Sequence, residues 1–99
     1  MPLRTYEIMT IHRPEMSEDD ARSRVSEIEA LLSARGAAVG ESDFWGKRRF
    51  AYEINHITEG YYSVLSFETE DLSPVEDLDR ALGLSDAVVR HKIIRTDEQ

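Results

Sequence analysis

The stretch DFWGKRRFAYEINHITEGYYSVLSF, residues 43 to 67, contains two apolar runs separated by a short polar segment. In the first run Phe50, Tyr52 and Ile54 alternate onto one side of a strand, which predicts that they face the core. The polar segment NHITEG, residues 55 to 60, is typical of a turn. The second run, YYSVLSF, is apolar on both sides, as in a strand at the centre of a sheet. Two strands joined by so short a segment predict an antiparallel hairpin.

Gly46 interrupts the first strand of this hairpin, which we expect to extend from residue 39 to residue 54. A glycine inside a strand indicates a β-bulge or a close approach of another part of the backbone. Because a bulge changes which residues share a face, the sequence leaves open the direction in which Trp45 points.

An amphipathic helix is predicted before the hairpin, over residues 17 to 36. Ser17 is a favourable N-cap residue, the three residues after it are acidic, and Gly36 suits the position just past the C-terminus. Apolar residues recur at helical spacing along this segment. The positions expected to be buried are Ala21, Val25, Ile28 and Leu32.

A second helix is predicted after the hairpin, over residues 72 to 83. Ser73 as N-cap and Pro74 at the first helical position give it a clear start, and Gly83 is expected to end it. The apolar side of this helix is formed by Val75, Leu78 and Leu82.

Two further strands complete the pattern, TYEIMTIH at residues 5 to 12 and AVVRHKIIR at residues 87 to 95. The element order is therefore β-α-β-β-α-β. Right-handed crossovers place both helices on one face of a four-stranded antiparallel sheet and leave the other face uncovered. This is the ferredoxin-like fold of the α+β class. Because the chain is short and contains no linker, we expect residues 1 to 99 to form a single domain.

The composition is acidic, with twenty Asp and Glu residues against twelve Lys and Arg residues and a formal net charge of −8. That charge opposes unaided, nonspecific binding to polyphosphate or to anionic membranes. The absence of cysteine excludes disulfides and thiolate metal sites, and no apolar run is long enough for a transmembrane helix. We expect no membrane association and no signal peptide.

Basic residues are nevertheless concentrated in two strands of this acidic chain. Lys47, Arg48 and Arg49 are consecutive in the first hairpin strand, and the last strand contains Arg90, Lys92 and Arg95. One interpretation is that they prevent an edge strand from pairing with other molecules. The other is that they bind phosphate groups, for which arginine is well suited. The segregation of charge favours phosphate binding.

Trp45 and Tyr52, the aromatic residues beside the basic run, are candidates for stacking on nucleic-acid bases, but each has another interpretation. Trp45 could anchor a partner protein, since tryptophan is favoured at the centres of interfaces. Tyr52 is expected in the core because it shares its side of the strand with Phe50 and Ile54. The acidic segment from residue 68 to residue 86 is either a solvated helix surface or a docking surface for a basic protein.

Nothing in the sequence indicates catalysis. His12, His56 and His91 lie on separate elements without metal-ligand spacing, and we expect them in surface or turn positions. The chain has no glycine-rich phosphate loop and no carboxylate beside a plausible nucleophile. We expect no enzyme activity, no metal, no cofactor and no small-molecule substrate.

Four segments resemble the bacterial small-subunit ribosomal protein six family: YEIM, WGKRRFAYEIN, EGYY and LDRALGLSDAVVRHKIIR, in this order between Tyr6 and Arg95. The start of the chain, MPLRTYE, departs from the usual family pattern and places its basic residue at Arg4. The resemblance implies a structural protein of the cytoplasmic small ribosomal subunit. It implies binding to the central domain of the small-subunit ribosomal RNA together with small-subunit ribosomal protein eighteen. Arg4 joins the two basic strands as an expected RNA contact.

An alternative function belongs to a different class. The chain could be a ferredoxin-like interaction module that forms homodimers through the uncovered sheet face or a sheet edge and binds no nucleic acid. The net charge of −8 favours this alternative, whereas the two basic strands and the family resemblance favour the ribosomal function.

Overall fold

The computed structural model describes residues 2 to 97 and has the expected element order. Its elements are β1 (Arg4–His12), α1 (Glu18–Ala34), β2 (Ala38–Ile54), β3 (Ile57–Thr69), α2 (Ser73–Leu84) and β4 (Val88–Arg95). The strands form one antiparallel sheet in the order β2-β3-β1-β4. The predicted ferredoxin-like fold is confirmed, and β1 and β3 are its central strands. The predicted polar tail, residues 96 to 99, is described only as far as Asp97.

Helix α1 has the start and the end that its sequence predicts. The Ser17 hydroxyl accepts a hydrogen bond from the Asp20 N–H at 3.1 Å, which caps the first turn. At the other end Gly36 adopts φ +88°, and its N–H donates to the Ser33 carbonyl at 3.1 Å. The Ala37 N–H donates to the Leu32 carbonyl at 3.0 Å. This pair of bonds is a Schellman motif, which requires the left-handed conformation that glycine adopts readily.

Helix α2 differs from its predicted start. The N-cap residue is Leu72, whose side chain makes no capping bond, and Ser73 is already helical. Instead the Asp71 carboxylate accepts a hydrogen bond from the Ser73 N–H at 3.2 Å. An aspartate thus caps the helix from one position further upstream. The helix also continues past Gly83 to Leu84, so the glycine does not end it.

The face of the sheet that the helices cover contains the main core, and we call it the helix-covered face. Tyr6 and Ile8 of β1 lie beside Leu65 and Phe67 of β3, and the Tyr6 and Phe67 rings stack with centroids 5.4 Å apart. The expected helix positions Ala21, Val25, Ile28 and Leu32 are buried, as are Leu78 and Leu82 of α2. The predicted helix orientations are therefore confirmed.

The hairpin of β2 and β3 has a shorter turn than its sequence suggests. Asn55 and His56 both have positive φ, at 50° and 66°, and form a two-residue turn. Positive φ at both central positions is characteristic of the type I′ turn, which asparagine tolerates. Ile57 therefore already belongs to β3, and the predicted turn over residues 55 to 60 is too long.

Two predictions of burial are wrong. Tyr52 is 84% exposed, whereas we expected it in the core. His12 is 2% exposed, whereas we expected it at the surface. Tyr52 lies where the hairpin extends past the rest of the sheet, and His12 ends a central strand on the helix-covered face. No helix within residues 2 to 97 is both long and apolar enough to cross a membrane.

Candidate functional site

A β-bulge at Trp45 and Gly46 divides the basic run between the two faces of the hairpin. The register between β2 and β3 shifts between Phe44 and Gly46, and Gly46 has φ +87°, so the predicted bulge is confirmed. After the bulge, Lys47 pairs with Tyr61 on the helix-covered side. The next residue in the strand therefore points to the uncovered side of the sheet, which we call the open face.

Arg48 is the member of the run that lies on the open face. Its guanidinium carbon is 6.0 Å from the centroid of the Trp45 ring, and its Nε donates to the Trp45 carbonyl at 3.4 Å. Lys47 and Arg49 lie on the opposite side, where the Lys47 ammonium is 5.2 Å from the Tyr61 ring centroid. All three basic side chains are exposed, but they do not form one surface.

The open face contains a second apolar cluster, which sequence analysis missed. The Tyr62 ring stacks on Trp45 at 6.3 Å and meets the edge of Phe50 at 5.8 Å. Next to Tyr62 in the sheet lies Ile11, which is 2% exposed. We call these four residues the open-face cluster. Trp45 remains 49% exposed, so the cluster has an accessible aromatic surface.

Gly60 permits the close packing of this cluster. A Cβ atom at Gly60 would lie 2.7 Å from Ile11 Cγ2 and 2.7 Å from the His12 carbonyl oxygen. Any side chain there would force the hairpin away from β1. The sequence signal for this contact is the glycine that precedes two tyrosines in β3, although glycine alone does not identify its neighbour.

The strand register brings two more basic residues to the same surface. Tyr62, Ile11 and Arg90 form one row across three strands. In the adjacent row, Val64 and Met9 lie beside Lys92. With strands about 4.8 Å apart, each row spans roughly 10 Å. The exposed basic side chains of Arg48, Arg90 and Lys92 thus surround the open-face cluster, and we call them the basic rim.

Arg4 and Arg95 lie at the far end of the sheet from the basic rim. Arg4 pairs with Thr69 and Arg95 pairs with Tyr6, both on the helix-covered side. The Arg95 Nε donates to the Asp97 carboxylate at 2.8 Å, and this bond lowers the pKa of Asp97. The structure therefore does not bring these two arginines together with the other expected RNA contacts.

Acidic residues occupy the opposite end of the open face. Glu7 lies between Ser66 and Ile94, and Glu68 lies beside Thr5. In the acidic segment from residue 68 to residue 86, two carboxylates have arginine or histidine side-chain partners inside the chain: Asp77 with Arg35 at 2.8 Å and with Arg80 at 3.6 Å, and Asp79 with His91 at 2.8 Å. These pairs favour a solvated helix surface for this part of the segment.

Within residues 2 to 97, no group of His, Asp or Glu side chains is arranged to hold a metal ion. The described part of the chain thus offers aromatic and guanidinium groups on the open face, and this combination binds phosphates, bases and protein side chains.

Comparison with known proteins identifies relatives of the whole chain. A small ribosomal subunit protein bS6 from Carboxydothermus hydrogenoformans is 43% identical over 96 residues, which cover 97% of this chain and 99% of the relative. The protein of the same name from Desulforamulus reducens is 42% identical over 96 residues, covering 97% of this chain and 100% of the relative.

One solved structure supports the same relationship, and a second shares only the fold. The crystal structure of 30S ribosomal protein S6 from Thermotoga maritima matches with a TM-score of 0.91 at 25% identity, covering 97% of this chain and 90% of the other. The C-terminal domain of the MgtC protein from Mycobacterium tuberculosis matches with a TM-score of 0.66 at 14% identity over the same shares, which shows a common fold only.

The family model for ribosomal protein S6 matches residues 5 to 95, almost the full length of the chain. The family expected from the sequence segments around Tyr6, Trp45 and Arg95 is thereby confirmed. With a family match over this range and relatives above 40% identity, the chain belongs to the ribosomal protein S6 family, whose members are components of the small ribosomal subunit.

Proposed function

We propose that this chain is a structural protein of the cytoplasmic small ribosomal subunit that binds the central domain of the small-subunit ribosomal RNA. It does so together with small-subunit ribosomal protein eighteen, and residues 1 to 99 act as one domain. The observation that carries the proposal is the position of the basic rim around the open-face cluster. Family membership supports a structural rather than a catalytic role.

The basic rim is suited to contact RNA phosphates. Arg48, Arg90 and Lys92 are exposed, and they come from the two edge strands β2 and β4. Guanidinium groups bind phosphate oxygens in a bidentate manner. Lys47 and Arg49 lie on the other side of the hairpin and are candidates for RNA contacts separate from the basic rim. Arg4 and Arg95 are weaker candidates because they lie at the other end of the sheet.

The open-face cluster is suited to contact the partner protein. Trp45 exposes half of its surface over Tyr62, and tryptophan beside arginine is typical of the energetically dominant centre of an interface. The net charge of −8 disfavours long-range attraction to RNA, so a basic partner is needed to reverse the field before the rim can hold phosphates. We therefore expect this protein to bind RNA weakly without the partner.

The experiment measures the affinity for the central-domain RNA across a salt series, with and without small-subunit ribosomal protein eighteen. The double variant Arg48→Ala/Arg90→Ala should weaken RNA binding of the pair and flatten the dependence of log K on log salt concentration by about 1.5, because two phosphate contacts are lost. The matched control is Arg24→Ala/Arg80→Ala, which removes two exposed arginines from the helices. The control should keep the parent slope.

The variant Trp45→Ala distinguishes the contact with the partner protein from the contact with RNA. It should weaken binding of the partner protein while the salt slope of the assembled complex stays unchanged. If the rim variant keeps the parent RNA affinity and slope, the basic residues only protect the sheet edges. If this protein binds no RNA with the partner and sediments as a homodimer, the alternative of a homodimeric interaction module is correct.

A further inference from the structure

A cleft of about 260 Å³ lies between the two helices and the sheet, away from the open face. Its polar lining residues are His12, Arg24, Glu27 and Ser85. Its apolar wall comes from both helices and β4 and consists of Ile28, Leu31, Leu78, Ala81, Leu82 and Val88. We call this space the His12 cleft. None of its residues belongs to the open-face cluster or to the basic rim.

His12 is the unusual residue in this cleft. It is 2% exposed, and its Nδ1 has no hydrogen-bond partner within residues 2 to 97. Buried polar atoms are almost always hydrogen-bonded, since an unpaired one destabilises the fold. The neighbouring Thr10 hydroxyl is only 2.6 Å from the Ser63 hydroxyl, so that pair already satisfies itself. The imidazole thus has unused hydrogen-bonding capacity.

The surroundings of His12 determine the charge of a suitable ligand. Burial lowers the pKa of His12, Arg24 lowers it further and Glu27 opposes them. The ring is therefore neutral near pH 7, with one donor and one acceptor nitrogen. Arg24 and Glu27 carry opposite charges on neighbouring turns of α1, so the mouth of the cleft favours neither a cation nor an anion.

The size and the wall of the cleft determine the shape of a ligand. An apolar cavity of about 150 Å³ binds benzene, so a cleft of about 260 Å³ accommodates a fused two-ring system. Leu78 and Leu82 on α2 face Ile28 and Leu31 on α1 across this space. Two opposed aliphatic walls favour a flat apolar molecule.

We infer that the His12 cleft binds a small uncharged heteroaromatic molecule of indole size, whose ring N–H donates a hydrogen bond to the His12 imidazole. This site is separate from the basic rim and from the open-face cluster, which lie on the opposite face of the sheet. No covalent step is involved. The class of ligand is set by one buried imidazole between two aliphatic walls, in a cleft that Arg24, Glu27 and Ser85 also line.

The test is an NMR titration of the full chain with indole and with indene, which has nearly the same shape but no N–H. Indole should cause saturable shifts at the amides of Ile28, Leu82 and Val88. His12→Leu should lower the affinity for indole at least fivefold relative to its affinity for indene. If both ligands lose the same factor, or if indole causes no saturable shifts at these amides, the inference is wrong.

A second pair of variants keeps the test decisive if His12→Leu fails to fold. Ala81 lines the cleft but is exposed, so Ala81→Phe should fill the cleft and reduce indole affinity at least tenfold. Ala30 is also exposed on a helix and does not line the cleft, so Ala30→Phe is the matched control and should bind like the parent. Equal indole binding by the two phenylalanine variants would overturn the inference.

Discussion

Ile8 and Ile11 lie three residues apart in β1 and are 1% and 2% exposed, yet they face opposite sides of the sheet. Ile8 is covered by the two helices and belongs to the main core. Ile11 is covered by the aromatic side chains of the hairpin, close to Gly60. The helices thus bury Ile8 on one face of the sheet. The long hairpin buries Ile11 to the same extent on the other face.

The difference shows how an open face can combine stability with binding. The helix-covered face is closed by helices distant in sequence from the strands beneath them, so its buried strand residues are unavailable to a partner protein. In the open-face cluster Ile11 is buried, but Trp45 remains half exposed. A partner that covers Trp45 would therefore bury the aromatic surface that the hairpin leaves exposed.

Truncating the two isoleucines tests whether both faces are packed cores. Ile8→Ala should reduce the free energy of unfolding by about 2–5 kcal/mol, because it leaves a cavity beneath the helices. Ile11→Ala should cost about 2–3 kcal/mol, since the hairpin aromatics are at the surface and can move inward. Urea denaturation of both variants is the measurement. A cost below about 0.5 kcal/mol for Ile11→Ala would mean that the open-face cluster is not packed in solution.

The bulge in β2 is the feature on which the open-face cluster depends. Gly46 has φ +87°, where a branched side chain is strained, so Gly46→Val should destabilise the fold by about 1–3 kcal/mol. Ala51→Val in the same strand is the control, because Ala51 is exposed and valine favours strands. Chemical denaturation of the two variants gives the comparison. Equal midpoints would show that the bulge is not needed for stability.

Much of the fold follows from local sequence signals. Ser17 and Gly36 mark the ends of α1, and the apolar spacing identifies its buried side. These signals suffice because helix caps and periodicity depend on residues that are close in sequence. Asp71 was missed as the cap of α2 because it acts from one position further upstream than a side-chain N-cap.

The candidate site was less predictable, since it depends on strand register. The basic residues were identified from composition, but their division between faces depends on the bulge at Gly46. The alignment of Arg90 with Ile11 and Tyr62 depends on pairing between strands that are distant in sequence. A one-residue change of register would move each of these side chains to the other face.

Acid should weaken the helix-covered face, because it contains the buried His12. Burial lowers the pKa of His12 below its ordinary value of 6.5, so the unfolded state binds more protons below that pH. The associated stability is complete above 6.5 and is lost as the pH falls toward the folded-state pKa. The slope from this group is at most about 1.4 kcal/mol per pH unit.

Urea denaturation at about pH 7.5 and about pH 5.5 measures this effect. His12→Leu should lose less stability between the two pH values than the parent does. His56→Leu is the matched control, because the His56 side chain is 98% exposed, and it should behave like the parent. An equal loss in all three proteins would assign the acid sensitivity to carboxylates instead.

The smallest expected effect concerns Tyr52, which the alternation of β2 wrongly placed in the core. Because the Tyr52 side chain is 84% exposed, its removal breaks few contacts. Tyr52→Ala should therefore change the free energy of unfolding by less than about 0.5 kcal/mol. Tyr62→Ala is the matched control, since its ring packs against Trp45 and Phe50, and it should cost more than about 1 kcal/mol. Denaturation midpoints of the two variants measure the difference. Equal destabilisation by Tyr52→Ala and Tyr62→Ala would mean that Tyr52 is packed in solution. The end of the hairpin beyond Phe50 would then fold back onto the sheet, and the open face would be smaller than the structure indicates.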